Sequence, residues 1–304
     1  MLIVRPDYYD DFHCIADKCR HSCCKGWEID IDDESLQRFR KISGSFGKKL
    51  QHSISTEPSA HFILREDERC PFLLDDGLCE MILTLGEDSL CEICTEHPRF
   101  YNSFPDRLEM GLGACCEEVA RLIVEGKESV RLIYESDAEE EPNAAPGIFL
   151  LRDNLFELLS DASLAFTERI KTAAALFGLK FSGFRAAETA AFYSTLERMD
   201  EKWTELLKSL ESFKDLSELF CFIEHTRYER ITEYFLYRYF CNAVDPEDAS
   251  ARFSFALLST EVICALELCG YADDALRLYS SEIEYSDENV DLILDAIKDG
   301  KLTI

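Results

Sequence analysis

The chain has 304 residues, 47% of them apolar, with 60 Asp and Glu against 32 Lys and Arg and a formal net charge of −28. That apolar fraction allows a sizeable core and excludes wholesale disorder, and the length suits one large domain or two ordinary ones. The negative field excludes nucleic acid and anionic membrane surfaces as natural partners and favours a lysine-rich protein surface.

The opening run Met1-Leu2-Ile3-Val4-Arg5-Pro6 is too short for a signal-peptide core, and Asp7, Asp10 and Asp11 follow at once. No uninterrupted apolar run approaches the roughly 18 residues of a membrane span. These features predict a cytoplasmic protein. Tyr8 to Trp27 reads as irregular backbone around Cys14, Cys19, Cys23 and Cys24. Trp27-Glu28-Ile29-Asp30-Ile31-Asp32 alternates apolar and acidic residues and predicts a short half-buried strand. Asp32 or Asp33 then caps a helix to about Ile42, with Leu36 and Phe39 inward and Gly44 past its end. His61 to Leu64 is a second short strand. Cys70–Leu74 and Leu78–Ile82 flank Asp75-Asp76-Gly77, a hairpin signal that would pair Cys70 with Cys79 across the turn. Cys91 and Cys94 follow, and Pro98 precludes regular helix around it. Gly111 to Cys116 leads into a helix over Glu117–Glu125, with Gly126 as terminator. Cys115 and Cys116 would thus lie at a helix N-terminus, where the dipole favours thiolate.

Ser136 to Pro146, acidic and marked by two prolines, reads as a linker. Beyond it the pattern is helical: Ile148–Phe166, Thr167–Leu179, Arg185–Leu210 with Ala191, Leu196, Met199, Trp203 and Leu206 on one stripe, Leu216–Phe240, Asp245 to Gly270, and Ser286 to Gly300. The expected fold is mainly α, with a small cysteine-rich α+β module over 1–135 and a C-terminal helical bundle over 147–304.

Ten of the fourteen cysteines fall between Cys14 and Cys116. Such clusters are held by disulfides or by a metal centre, and a reducing compartment argues for metal. A four-cysteine zinc site usually shows two C-x2-C knuckles. Only Cys91-x2-Cys94 qualifies, with Cys19-x3-Cys23 as a looser second. An iron–sulfur cluster also takes four thiolates, from more varied spacings. Spacing therefore leaves zinc and iron–sulfur open. The candidate ligands are Cys19, Cys23, Cys24, Cys70, Cys79, Cys91 and Cys94, with His13, His21 and His97 close enough in sequence to substitute.

These blocks resemble the flagellin lysine-N-methylase family, bacterial proteins with a CxxCxxCC-type zinc- or iron-chelating module. The matching segments are Cys19-Arg20-His21-Ser22-Cys23-Cys24-Lys25-Gly26-Trp27-Glu28-Ile29-Asp30, Cys70-Pro71-Phe72-Leu73, Gly77-Leu78-Cys79, Leu90-Cys91-Glu92-Ile93-Cys94 with His97-Pro98-Arg99-Phe100, and Ala114-Cys115-Cys116-Glu117-Glu118-Val119-Ala120-Arg121. They cover about the first 125 residues in order. Cys116 departs from the family pattern, which usually has proline there. The resemblance implies a methyltransferase that moves a methyl group from S-adenosylmethionine to lysines of flagellin or another lysine-bearing protein, and that needs a [4Fe–4S] cluster.

The residues themselves add less. Gly111-x-Gly113 is the one candidate for a glycine-rich donor loop, and a turn is its simpler reading. An iron held by three protein thiolates, with one open site, would be another way to bind the donor's amino and carboxylate groups. Tyr228 to Phe240 offers acids and phenols that could deprotonate a lysine, and an aromatic core helix is its simpler reading. No catalytic base or donor-binding residue is assigned. Two other classes compete: a non-catalytic zinc- or iron-binding module with a helical protein-docking domain, and a redox sensor using Cys115 and Cys116.

Overall fold

Strand β1 (Leu2–Pro6) runs between two partners. It is parallel to β5 (Arg107–Leu112), with Leu2 opposite Arg107, and antiparallel to β6 (Leu132–Ser136), with Leu2 opposite Ser136. With β4 (Arg99–Ser103) the sheet order is β4-β5-β1-β6. The computed structural model describes residues 1–136, 147–181, 183–213, 226–271 and 274–304. The expected linker residues 137–146, and residues 216–225 of the expected aromatic helix, lie outside the described residues. The fold is mainly α with this small sheet and a cysteine-rich α+β part.

Two compact units are present. One comprises residues 1–12, 101–115 and 119–304; the other comprises 13–100 and 116–118. Segment 1–135, expected as a single module, contributes to both.

In the first unit, helix α10 (Thr226–Tyr239) is a polar spine inside an apolar shell. Tyr237 Oη lies 2.8 Å from Val4 O and 3.0 Å from Met110 O, so one phenol serves carbonyls of two adjacent strands. Tyr234 Oη accepts from Ala114 N at 3.0 Å and donates to Glu284. Glu233 accepts from Val130 N at 2.8 Å, and Glu229 pairs with Arg169 at 2.9 Å. The acids and phenols of this segment are thus committed to structure, which is the core-helix reading. Arg230 donates to Ile123 O, Glu128 O and Leu122 O, closing the C-terminus of α5 (Glu117–Glu125) against Gly126.

Helix α11 (Pro246–Leu266) packs along α10. Asp245 caps it by accepting from Asp248 N at 2.8 Å, and Gly270, at φ +101°, ends the distorted turn that follows. By length and composition this helix could cross a membrane, but 83% of its most apolar window is buried inside the protein. Helices α6 (Gly147–Leu159), α7 (Phe166–Leu176), α12 (Ala275–Tyr279) and α13 (Asp287–Lys298) complete the shell, α13 being capped by Ser286 as expected. The expectation of one long helix here fails. Arg185–Leu210 is two helices, α8 (Ala186–Tyr193) and α9 (Glu201–Glu211), not one. The Glu282 carboxylate accepts from Met199 N and Asp200 N, both at 2.9 Å, and so draws those amides out of a helical ladder. Ala191 and Met199 consequently leave the buried stripe that Leu196, Trp203 and Leu206 keep.

In the second unit, Ile29 and Ile31 bury their side chains as the alternation predicts. Their backbone pairs with the stretch before β3 (His61–Phe62): Ile31 N donates to Ala60 O at 2.7 Å, and Phe62 N to Ile29 O at 3.0 Å. Asp32 caps α1 (Asp33–Lys41), accepting from Ser35 N at 2.8 Å. Gly44, expected beyond the end of a helix, instead opens a second one, α2 (Gly44–His52), which leads into β2 (Ile54–Ser55), the antiparallel partner of β3.

Candidate metal centre

The core of this second unit contains Ile29, Ile31, Phe39, Leu50, Phe62, Phe72, Leu73 and Met81, and two thiols, Cys70 and Cys91, are buried in it. Cys24, Cys79 and Cys94 pack against the same core. Five sulfurs from four separate stretches therefore share one apolar environment. Backbone pairing delivers the first two: Gly26 N donates to Glu68 O at 3.1 Å and Cys70 N to Cys24 O at 2.8 Å. The Asp75–Gly77 turn delivers the third. Gly77 sits at φ +84°, a value that favours glycine, and Leu74 N donates to Leu78 O at 2.9 Å. The turn is as expected, but the pairing differs: Leu73, not Cys70, faces Cys79. The returning arm also becomes a helix, α3 (Glu80–Leu85), with Cys79 just before its first turn. Glu80 N already donates to Phe72 O, after which Leu83 N turns back to Cys79 O, so the ladder ends after Glu80. Cys91 likewise precedes α4 (Glu92–Glu96), which carries Cys94 one turn on. Asp32 ties this turn down: its second oxygen accepts from Glu92 N at 2.9 Å.

The sulfurs sit where turn amides converge. N–H groups of Phe72 and Leu73 reach Cys70, and those of Met81 and Ile82 reach Cys79. Such donors stabilise thiolate, the form that binds metal. Burial opposes them and wins at both residues, pushing Cys70 up to about 12 and raising Cys79. Cys91 Sγ and Cys94 Sγ stand 3.5 Å apart. The hydrogen bond they share holds Cys91 down and pushes Cys94 up, so the pair loses its first proton readily and its second with difficulty. Cys24 is held down to about 7, chiefly by a hydrogen bond from Cys23. Cys24 also acts electrostatically on Cys70, Cys79 and Cys94, and Cys91 on Cys79. Among the described residues, no three His, Cys, Asp or Glu side chains already stand at metal-ligand spacing.

Of the seven sequence candidates, Cys24, Cys70, Cys79, Cys91 and Cys94 pack on one core; Cys23 hydrogen-bonds to Cys24 and also acts electrostatically with Cys116 and Cys14, and Cys19 acts with Cys116. Glu117, which sequence reasoning passed over, organises the neighbourhood of Cys19. Its carboxylate accepts from Arg20 N at 2.8 Å, His21 N at 3.1 Å and Arg20 Nε at 2.7 Å, and Cys19 Sγ lies 3.7 Å from it. Its place in the first turn of α5, directly after two cysteines, was the available signal. His97 has its Nε2 buried without a hydrogen bond, its ring centroid 6.0 Å from that of Trp27, and burial lowers its pKa. The expectation for Cys115 is overturned. It belongs to the first unit, and burial pushes its thiol up despite the nearby helix start, so it is not a ready thiolate.

Comparison with known proteins gives the following. The chain is 24% identical over 227 residues to the lysine-N-methylase of Salmonella choleraesuis and, to the same extent, to that of Salmonella typhimurium. The chain is similar to the lysine-N-methylase family. Each match covers 70% of this chain and 54% of the relative, so the chain spans about half the length of the curated lysine-N-methylases it matches. A third relative, the flagellar biosynthetic protein FliU of Salmonella muenchen, is 24% identical over 139 residues, covering 43% of this chain and 82% of that protein. No family model matches, and no solved structure matches. The resemblance carried by the cysteine blocks is thereby borne out.

Proposed function

We propose that this protein is a cytoplasmic protein-lysine N-methyltransferase that takes its methyl group from S-adenosylmethionine and acts on flagellin or a similar lysine-bearing protein. The observation that carries the reading is the convergence of Cys24, Cys70, Cys79, Cys91 and Cys94 on one core, in a chain similar to proteins named lysine-N-methylase. The donor set fits an iron–sulfur cluster: only soft thiols, turn amides aimed at them, and one more sulfur than four irons require. Four of these five would hold a [4Fe–4S] cluster. Bound there, it would supply an iron able to exchange electrons or to accept a ligand. The net charge of −28 supports a cationic protein partner, because it draws lysine-rich surfaces and repels polyanions.

Zinc is the second reading, and one distance favours it. Two sulfurs on one tetrahedral zinc, with Zn–S about 2.3 Å, lie roughly 3.8 Å apart. The Cys91–Cys94 spacing of 3.5 Å is close to that edge. Thiolates on separate irons of a cluster stand farther apart. Colour separates the two: brown protein after anaerobic purification means iron–sulfur, and colourless protein with bound zinc means the alternative.

The activity is tested by incubating anaerobically purified protein with isotopically labelled S-adenosylmethionine and flagellin, then mapping label on lysines by mass spectrometry. Label on lysine that disappears in Cys70→Ser and Cys91→Ser protein is the expected result. Metal bound at this group with no label transferred would leave a non-catalytic binding module and end the methyltransferase reading.

A further inference from the structure

Cys91 Sγ and Cys94 Sγ are 3.5 Å apart, and both are free thiols. The backbone that carries them is tied down on both sides. Arg38 of α1 donates to Asp88 O at 3.0 Å and to Leu90 O at 2.8 Å, which fixes the approach to Cys91. Asp32 accepts from Glu92 N at 2.9 Å. Cys91 O accepts from Cys94 N at 3.1 Å, Thr95 N at 3.0 Å and Thr95 Oγ1 at 3.2 Å, which closes the turn. A disulfide sets its sulfurs about 2.0 Å apart, so these two must approach by roughly 1.5 Å. Side-chain torsions can supply that while the anchored backbone stays in place. The sulfurs differ in access: Cys94 is partly exposed, whereas Cys91 is buried in the core.

Other thiol neighbours are placed less well for bonding to each other. Cys23 and Cys24 share a hydrogen bond, but the peptide joining them is held at both ends, its N–H by Ser22 Oγ at 3.2 Å and its carbonyl by the Trp27 indole. A bond between their sulfurs would have to twist that peptide. Across the Asp75–Gly77 turn, Leu73 rather than Cys70 faces Cys79. Cys115 and Cys116, the pair that the sequence offered as a redox sensor, fall in different units.

We propose that Cys91 and Cys94 form a redox-active pair that hydrogen peroxide closes to a disulfide and a small dithiol reopens. Cys94 meets the oxidant first. Its sulfur attacks one peroxide oxygen, the O–O bond breaks, and Cys94 becomes a sulfenic acid as one water leaves. The Cys91 sulfur then attacks the Cys94 sulfur, the S–O bond breaks, and a second water leaves. Two thiols and one peroxide thus give one disulfide and two waters, the thiols losing two electrons and the peroxide gaining them. A dithiol reverses the closure by exchange through a mixed disulfide. The disulfide leaves Cys24, Cys70 and Cys79 as the thiols of the core. Three sulfurs do not fill a site that takes four. That consequence rests on the metal-centre reading, whereas the disulfide itself does not.

The test begins with full-length protein that is stripped of metal, reduced, freed of reductant without oxygen and given one equivalent of hydrogen peroxide. Remaining thiols are alkylated, and the chain is cleaved after glutamate. Glu92 lies between the two cysteines, so their disulfide is read as peptides 88–92 and 93–96 joined together. That species is expected, and dithiothreitol should remove it. The mapping uses the wild-type chain, so it does not depend on a variant that folds. In Cys91→Ser protein, dimedone should trap the sulfenic acid at Cys94. Alkylated Cys91 and Cys94 after peroxide, or a first disulfide elsewhere such as Cys23–Cys24, would overturn the proposal. Zinc and iron uptake is measured on the same samples. The disulfide form should take up neither at the core thiols, and the reopened form should recover uptake. Joined peptides from a protein whose reduced form binds no ion would support the redox pair and end the metal-centre reading.

Discussion

Glu109 is the carboxylate on which the buried charges of the sheet depend. It is fully buried in β5, as is Arg152 in α6, and Arg107 is nearly so. Arg107 Nη1 donates to it at 3.2 Å and Arg152 Nη1 at 3.1 Å, and Arg152 also has Asp153 at 2.7 Å. Glu109→Gln keeps the shape and removes the charge. Arg152 then retains one counter-charge, whereas the cation of Arg107 is left over the Phe149 ring, 3.8 Å from its centroid. Breaking one partner of a buried pair costs roughly 3–5 kcal/mol. The retained Asp153 places the expected loss at the lower end, about 3 kcal/mol. That is roughly a hundredfold in the folding equilibrium, against a total stability of about 5–15 kcal/mol. Urea unfolding followed by circular dichroism measures it. The double variant Glu109→Leu with Arg107→Leu should recover most of the loss, because no unpaired charge remains. A Glu109→Gln protein within about 1 kcal/mol of wild type, or a double variant as unstable as the single one, would refute the account.

Gly126→Ala would drive a methyl group into the Arg230 guanidinium and should cost about 1–3 kcal/mol; in an Arg230→Ala background the same change should cost little, and a double-mutant cycle reads the coupling. Glu261 is buried in α11 with Oε2 unpartnered, and burial alone raises its pKa well above the carboxylate range. Its folded form holds a proton that the unfolded form releases above about pH 4, so stability falls as pH rises from there toward the folded value. Glu261→Gln should therefore stabilise more at pH 8 than at pH 5, and unfolding curves that shift equally at both would contradict the burial argument. Asp32 caps α1 and also binds the Glu92 amide, and its pKa is pushed down to about 2, with backbone and side-chain hydrogen bonds outweighing burial. Asp32→Ala should cost about 1–2 kcal/mol at neutral pH. That difference should be complete above about pH 4 and shrink as pH falls toward 2, where the folded carboxylate takes a proton.

The helices were legible where caps and terminators were local. Asp32, Asp245 and Ser286 each bind the amide three residues on, so sequence alone places those starts. The four-stranded sheet was not legible. Strand β5 buries Arg107 and Glu109 and leaves Leu108 and Met110 more open, the reverse of an amphipathic strand. Only the arrival of Arg152 from α6 makes that face stable. The break between α8 and α9 depends in the same way on Glu282, some eighty residues later in the chain.

The sequence by itself determined that the amino-terminal third is rich in thiols, that the charge repels polyanions, and which blocks resemble the lysine-N-methylases. Composition and spacing carry that much because they are properties of the chain before it folds. Tertiary structure alone decided which sulfurs meet. A cysteine's partners depend on where the rest of the chain runs, and the four stretches that carry Cys24, Cys70, Cys79, Cys91 and Cys94 meet only in the folded core. Spacing along the chain therefore named the candidates, and packing chose five of them for one core.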